Sequence, residues 1–175
     1  MAVRTIITEG DPRLRQKAVR IRTIDDEVRR LAQDLWDTVR AARGLGLAAP
    51  QIGVLRRIIV VAVPPDYVEE GDPGAELTLV NPEIVRSSGR QVGVEGCLSI
   101  PGWYGEVPRA MHVTVKALNL EGREVRVKAR GLVARVLQHE IDHLDGILFV
   151  DRIEDRSTLR YIRDEEDEAA EAAAS

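Results

Sequence analysis

Residues 132–145 restrict the fold of this chain most, because they predict a helix with two apolar faces. At 3.6 residues per turn, one side of this helix carries Leu132, Arg135, Val136, His139 and His143. The opposite side carries Ala134, Leu137, Ile141 and Leu144. Polar residues occupy one edge, formed by Gln138, Asp142 and Asp145. A helix of this kind is buried, so the other elements must surround it.

The same segment contains an H-E-x-x-H pattern from His139 to His143. Two histidines four residues apart lie about 40° apart around a helix, so both imidazoles can reach one ion. Glu140 lies about 100° round from His139, where it can act on a water without binding the ion. This arrangement is typical of zinc-like sites with a glutamate general base. The alternative is a pair of core histidines satisfied by hydrogen bonds.

The rest of the chain predicts one helix followed by a group of strands. Residues 25–42 form the helix, because Leu31, Leu35 and Val39 recur every four residues. Strand-like runs cover Arg57–Val63, Leu77–Val85, Val92–Val94, Val113–Leu118 and Glu124–Lys128. Strands that are grouped without βαβ alternation favour an α+β fold. We expect mostly antiparallel sheets packed around a buried central helix that carries the HExxH motif.

Composition excludes several classes of protein. The net charge of −4 argues against binding nucleic acid over the whole surface, which requires a basic field. We expect no direct contact with nucleic acid and, since no apolar run reaches about 18 residues, no membrane span. Cys97 is the single cysteine, so no internal disulfide can form. Together with the absence of a signal-like N-terminus, this predicts a cytoplasmic protein.

The pattern leaves the third metal ligand open. A catalytic site of this type uses three protein ligands and keeps one position for water. His112 lies in a strand-like run, and the downstream acids are Glu154 and those of 164–168. Cys97 follows Gly96, which allows a close backbone approach, and a thiolate binds Zn and Fe(II) well. A Cys/His/His set with one water is chemically sufficient.

Three motifs together give the chain a resemblance to a known family. They are Gly44-Leu-Gly-Leu-Ala-Ala-Pro-Gln51, Glu95-Gly-Cys-Leu-Ser99 and Gln138-His-Glu-Ile-Asp-His143. In their order and spacing the chain resembles bacterial peptide deformylase from about Ile6 to Asp151. The first motif also fits a loose dinucleotide fingerprint, but a helical segment precedes it and Pro50 follows, which argues against that interpretation.

The resemblance implies a metal-dependent hydrolase. Cys97, His139 and His143 would bind one divalent ion, with Fe(II) favoured and Zn, Ni or Co as alternatives. Glu140 would be the general base, acting on a water whose pKa the metal lowers. The Gln51 side-chain amide and the Leu98 backbone N–H would stabilise the oxyanion. The reaction would remove the formyl group from N-terminal formylmethionine of newly made polypeptides and release formate.

The resemblance also suggests how the substrate binds. The peptide would lie extended along main-chain groups near Leu45, Gly46 and Gly96. Helix geometry places Leu132, Arg135 and Val136 beside the ligands, so we expect them to line the pocket for the methionine side chain. The stem of Arg135 would line this pocket while its guanidinium reaches water. Glu95 would pair with Arg109 to brace the cysteine loop, although a weak surface pair is the alternative.

We expect residues 1–155 to form a single catalytic domain and residues 156–175 to form a C-terminal helix, over 156–171, and an acidic tail. Some family members carry a basic C-terminal helix for docking on the ribosome. Here the tail is acidic, so ribosome docking through it is unsupported, while nascent chains remain the expected substrates. Two other functions fit the residues: a small metalloprotease that uses Glu154 or Glu165 as third ligand, and a non-catalytic metal- or peptide-binding module.

Overall fold

The structure, a computed structural model, describes residues 2–163. It contains two helices, α1 (Asp26–Ala41) and α2 (Gly131–Leu144). Eight strands accompany them: β1 (Gly46–Ala48), β2 (Ile58–Val63), β3 (Ala75–Ser88), β4 (Gln91–Cys97), β5 (Ile100–Arg109), β6 (His112–Leu118), β7 (Glu124–Arg130) and β8 (Arg160–Tyr161). Short 3₁₀ helices cover Pro12–Arg15, Ala49–Ile52, Pro65–Tyr67, Phe149–Arg152 and Arg156–Thr158.

The strands form two sheets. The larger sheet has the order β1-β2-β3-β6-β7, and the smaller one has the order β4-β5-β8. All neighbouring strands in both sheets pair antiparallel. The predicted α+β class with antiparallel sheets is therefore confirmed, while β1, β5 and β8 are strands that the sequence did not predict.

The larger sheet is covered by a helix on each face, and β2 shows why. Its side chains alternate between two apolar clusters, as the two-residue period of a strand requires. Ile59 and Val61 belong to the cluster that contains residues of α2. Ile58 and Val60 belong to the cluster that contains residues of α1. This double burial explains why β2 reads as a continuous apolar run.

Helix α1 begins at a capped end and buries one stripe. The side chain of Asp25 accepts a hydrogen bond from the backbone N–H of Val28 at 3.0 Å, which satisfies one otherwise unpaired donor of the first turn. The buried positions follow the predicted four-residue recurrence at Leu31, Leu35 and Val39. After the helix, Arg43 adopts a positive φ of 54° and turns the chain towards β1.

Helix α2 is also tied to β5 and to Ala110, the residue that follows it, by polar side chains. Arg135 donates from Nη1 to the carbonyl of Val107 in β5 at 2.9 Å. Gln138 accepts from the backbone N–H of Ala110 and donates to its carbonyl, both at 3.0 Å. These bonds fix the rotation of α2 and so decide which face meets β4. Among residues 2–163, neither helix is long and apolar enough to cross a bilayer.

The predicted C-terminal helix is wrong where the structure describes it. Residues 156–158 form a single 3₁₀ turn, whose start is capped by Asp155. Arg160 and Tyr161 then pair with Tyr104 and Trp103 of β5. The edge of β5 offers backbone partners and a ring contact that a solvated helix would lack, so sheet pairing replaces helical propensity. The rest of the predicted helix, and the acidic tail, lie outside the described residues.

Candidate active site

Helix α2 and the end of β4 bring three potential metal ligands together. One ligand atom each from Cys97, His139 and His143 lies within 4.8 Å of the other two. Cys97 Sγ is 3.4 Å from His143 Nε2, and the two imidazole centroids are 5.0 Å apart. The sequence predicted that these residues meet, and the geometry agrees. A thiolate and two imidazoles are ligands that suit Zn or Fe(II).

A tight turn sets the position of Cys97. Cys97 pairs with Ile100 across the β4–β5 hairpin, so only Leu98 and Ser99 form the connection. The pairing register shifts between Gly96 and Cys97, which marks an irregular strand end. At Gly96, an added Cβ would lie 2.6 Å from the ring of Tyr104, so a side chain there would have to displace that ring.

Gln51 reaches the sulfur from the 3₁₀ turn that follows β1. Its side-chain oxygen accepts from the backbone N–H of Ala48 at 3.0 Å. Its Nε2 donates to Ser99 Oγ at 3.2 Å and lies 3.6 Å from Cys97 Sγ. The first bond determines which end of the amide faces the ligands, so Gln51 presents N–H groups at this point. The residue is 1% exposed.

A buried ion-pair network supports His139. His139 Nδ1 donates to Glu95 Oε1 at 2.8 Å. Arg109 donates to Glu95 twice, both at 2.9 Å, and to Asp142 at 2.6 Å. Asp142 also accepts from Arg152. The predicted Glu95–Arg109 pair is confirmed, and since both side chains are buried it is not a weak surface pair.

The prediction for the head of Arg135 is wrong. Its Nη1 donates to Glu95 Oε2 at 2.6 Å, and the side chain is 8% exposed. The guanidinium is therefore enclosed by protein and does not reach water. The physical reason is the Glu95 carboxylate, which lies within reach and offers a stronger partner than solvent does. Gly93 leaves room for this group, because an added Cβ would lie 3.0 Å from Arg135 Nη2.

The two imidazoles experience opposite electrostatic environments. Burial alone would lower the pKa of His139, but hydrogen bonds with Cys97 and Glu95 outweigh it and raise the pKa well above its usual value. Burial lowers the pKa of His143 well below its usual value, and the charge of His139 acts in the same direction. The surroundings of His143 thus favour its neutral form, while those of His139 stabilise positive charge.

Glu140 is buried beside the ligands. Burial raises the pKa of its carboxyl group to about 7, although the charge of His139 opposes that shift. Within residues 2–163, Glu140 Oε1 and His143 Nδ1 are the buried side-chain polar atoms without a hydrogen-bond partner. Gly46 faces this carboxylate so closely that an added Cβ would lie 2.6 Å from Glu140 Oε2. A side chain at position 46 would therefore displace the Glu140 carboxylate.

A cavity of about 820 Å³ opens over these groups. The sequence-predicted site residues on its wall are Leu45, Gly46, Gln51, Glu95, Gly96, Cys97, Leu98, Leu132, Arg135, Val136, His139 and Glu140. His143 is not on the wall, because it is 1% exposed beneath Cys97. The structure thus gathers the predicted residues at one site, where Cys97 and His139 line the cavity and His143 lies buried behind them.

The other ligand candidates lie elsewhere. His112 begins β6 and lines a different cavity, together with Arg130 and Met111. Glu154 pairs with Arg90 at 2.8 Å, and both side chains are well exposed. Glu165 and the other acids of 164–168 lie outside the described residues. Among the described residues, Cys97 is the third partner of the two histidines.

Several cavity residues were missed by sequence reasoning. Trp103, Tyr161 and Ile162 line the mouth of the cavity, together with Arg43. Trp103 could have been suspected, since it follows the dipeptide Pro101-Gly102, which marks a turn in the sequence. Tyr161 and Ile162 carried no signal, because they lie in a segment with a helical pattern.

Comparison with known proteins gives a consistent assignment. A family model described as polypeptide deformylase matches residues 3–158. A peptide deformylase from Thermomicrobium roseum is 88% identical over 173 residues, which cover 99% of this chain and 98% of the relative. One from Roseiflexus castenholzii is 52% identical and covers 83% of this chain and 84% of the relative.

Solved structures agree with the sequence relatives. Peptide deformylase from Ehrlichia chaffeensis has a TM-score of 0.84 at 36% identity, covering 90% of this chain and 91% of that chain. The enzyme from Synechococcus elongatus, solved in complex with actinonin, has a TM-score of 0.78 at 43% identity, covering 87% and 80%. The chain therefore belongs to the peptide deformylase family, hydrolases that remove an N-formyl group.

Proposed function

We propose that this protein removes the formyl group from N-terminal formylmethionine of newly made polypeptides and releases formate. Cys97, His139 and His143 hold one divalent metal ion, and Glu140 is the general base. The observation that carries this proposal is the convergence of the three ligand atoms within 4.8 Å of one another, beside a buried carboxylate. Helix α2, with its HExxH segment, is then the central helix of the catalytic unit.

Three features of the chain fit a metal ion at this point. The donor set combines a thiolate with two imidazoles, and the described residues contribute no fourth ligand to the group. Glu95 accepts from His139 Nδ1, which leaves Nε2 of that ring for coordination. Glu140 Oε1 lies buried without a partner. A divalent ion bound there supplies a Lewis acid and lowers the pKa of water.

Glu140 is suited to move protons in both directions. Burial raises the pKa of its carboxyl group, and a carboxyl group whose pKa lies nearer to neutral pH is better able to donate a proton after it has accepted one. The carboxylate takes a proton from the attacking water as the C–O bond forms. It then delivers that proton to the amine nitrogen as the C–N bond breaks. Formate and a free N-terminus result.

Gln51 and the turn after Cys97 stabilise the charge that develops on the formyl oxygen. The Gln51 amide is held by Ala48 and presents its N–H groups towards Cys97. The backbone N–H of Leu98 is the second donor. Donors that are fixed before the reaction need no rearrangement as the oxyanion forms, so each lowers the activation free energy by on the order of 3 kcal/mol.

The peptide binds in an extended form along the main chain of Leu45, Gly46 and Gly96. The methionine side chain lies against Leu132 and Val136, which line the same cavity as the ligands. The stem of Arg135 completes this wall, while its guanidinium anchors Glu95. A deformylase from Acinetobacter baumannii, 38% identical with a TM-score of 0.81, was solved with Met-Ala-Ser bound, so a relative accepts a tripeptide.

The test is formate release from formyl-Met-Ala-Ser, with unformylated peptide as the control and metal analysis of the same sample. Glu140→Gln should abolish release and keep the metal, since Glu140 is not a ligand. Cys97→Ala should lose both. His112→Ala is a matched control, because that histidine lies in another cavity and should change neither quantity.

The same variants separate the alternatives. A metalloprotease with a different third ligand would retain its metal after Cys97→Ala and would cleave the unformylated peptide. A non-catalytic binding module would release no formate in any variant. Formate release by the intact protein that survives Glu140→Gln would contradict the role of Glu140.

We propose Fe(II) as the native ion, as the family resemblance implies, and the donor set would also suit Zn, Ni or Co. An Fe(II) site with a thiolate ligand should lose activity in air faster than the same site loaded with nickel. Equal decay would contradict this predicted oxygen sensitivity. We further place the protein in the cytoplasm, where nascent chains are made, and assign the acidic tail no role in ribosome docking.

A further inference from the structure

An aromatic pair stands at the mouth of the cavity, where the C-terminal segment joins the smaller sheet. Tyr161 of β8 pairs with Trp103 of β5, and their ring centroids are 5.5 Å apart at an interplanar angle of 54°. Gly102 makes this contact feasible, because an added Cβ would collide with the Tyr161 ring. Strand β8 therefore positions the Tyr161 ring against the Trp103 ring.

This pair belongs to a wider apolar rim, formed by Val94, Trp103, Tyr161 and Ile162. Each of the four is between 42% and 49% exposed. All four line the same cavity as Cys97, His139 and Glu140. Neighbouring exposed apolar side chains at a cavity mouth are typical of a binding surface. Here the surface is continuous with the site of the reaction.

The rim is held in place from both sides. Ile162 donates its backbone N–H to the carbonyl of Gly102 at 2.7 Å. Upstream, Thr158 Oγ1 accepts from the backbone N–H of Glu106 at 3.1 Å. Leu159 packs against the apolar cluster that includes Ile153. A surface that is already ordered loses little entropy when a ligand binds, which favours affinity.

We propose that this rim binds apolar side chains of the substrate residues that follow the formylated one. The inference rests on the proposed function and extends it to sequence preference. An extended peptide advances about 3.3 Å per residue, so the second and third residues lie roughly 3–7 Å further out than the first. With the first side chain against Leu132 and Val136, the following ones reach the mouth. Trp103 and Tyr161 then make the enzyme prefer aromatic or aliphatic residues there.

The test compares three peptides: formyl-Met-Ser-Ser, formyl-Met-Phe-Ser and formyl-Met-Ser-Phe. For the intact enzyme, at least one phenylalanine peptide should exceed the serine peptide in kcat/KM by about threefold to tenfold, as expected for an added aromatic contact. The gain should appear in KM, because the rim is remote from the reacting bond. Tyr161→Ala and Ile162→Ala should reduce the preference for the phenylalanine peptides. Tyr161→Phe should retain it.

Tyr67→Ala is the matched control, since Tyr67 is an exposed tyrosine that lines a different cavity. It should leave the preference intact. Equal kcat/KM for the three peptides, or a preference that survives both Tyr161→Ala and Ile162→Ala, would overturn the inference while leaving deformylation established by the serine peptide.

Fluorescence gives a readout that does not depend on turnover. Trp36 is removed as Trp36→Phe, which leaves Trp103 as the single tryptophan. Unformylated Met-Ser-Phe should then shift the Trp103 emission at lower concentration than Met-Ser-Ser does. Identical titrations would also overturn the inference. If no peptide is deformylated, the proposed function fails, and this titration still decides whether the rim binds apolar residues.

Discussion

Replacing Arg109 by methionine should test how far the buried ion-pair network stabilises the fold. Arg109 is 6% exposed and makes three charged hydrogen bonds, two with Glu95 and one with Asp142. Hydrogen bonds to charged groups contribute about 1.5–3 kcal/mol each, so their sum would exceed 4 kcal/mol. Both carboxylates keep a second arginine, however, because Arg135 pairs with Glu95 and Arg152 pairs with Asp142.

Neither acid is therefore left unpaired, and the cost should lie at the low end of the range for a broken buried pair, about 3 kcal/mol. Urea unfolding of both proteins in the presence of a chelator measures this free energy, because a bound metal would add a stabilisation that depends on its affinity for each variant. The slope of the unfolding free energy against urea should stay constant, and the midpoint should fall.

Arg130→Met is the matched control, because Arg130 makes a similar forked pair with Asp72 on the surface. Solvent and salt screen such a pair, so its loss should change the midpoint little. A loss of less than about 1 kcal/mol for Arg109→Met, or equal shifts for both variants, would refute the argument that burial makes the network stabilising.

Three further perturbations have definite expected outcomes. Gly46→Ala should lower kcat strongly while metal analysis stays unchanged, because the new methyl group displaces the Glu140 carboxylate; unchanged kcat would contradict this close approach. Asn81→Ala should lower unfolding stability by about 1–3 kcal/mol in a urea titration, because the Asn81 side chain satisfies both backbone groups of Ile21 at 2.9 and 2.8 Å. An effect under about 0.5 kcal/mol would show that water replaces these bonds. Adding metal should raise the melting temperature of the intact protein by stabilising the folded state, and Cys97→Ala should abolish the rise; an equal rise in both would place the metal elsewhere.

The sequence alone determined the local geometry of the site. The spacing of His139 and His143 places both rings on one side of any helix that contains them, whatever surrounds it. The buried apolar run of β2 and the stripe of α1 follow equally from periodicity. Cys97 was joined to the histidines through the family resemblance and the chemistry of thiolates, since nothing local connects residues more than forty positions apart.

Tertiary contacts decided the features that the sequence did not reveal. The β5 segment contains Pro101, Gly102, Gly105 and Pro108, which read as a loop, yet pairing with β4 and β8 makes it a strand. Tyr161 lies in a segment with a helical pattern but forms a strand, because the edge of β5 offers backbone hydrogen bonds and contact with the Trp103 ring. Helix geometry correctly predicted that Arg135 lies on the side of the cavity. It could not reveal that the guanidinium binds Glu95, because Glu95 comes from a distant part of the sequence. Periodicity specifies where a side chain points, whereas its partner depends on segments that only the folded chain brings together.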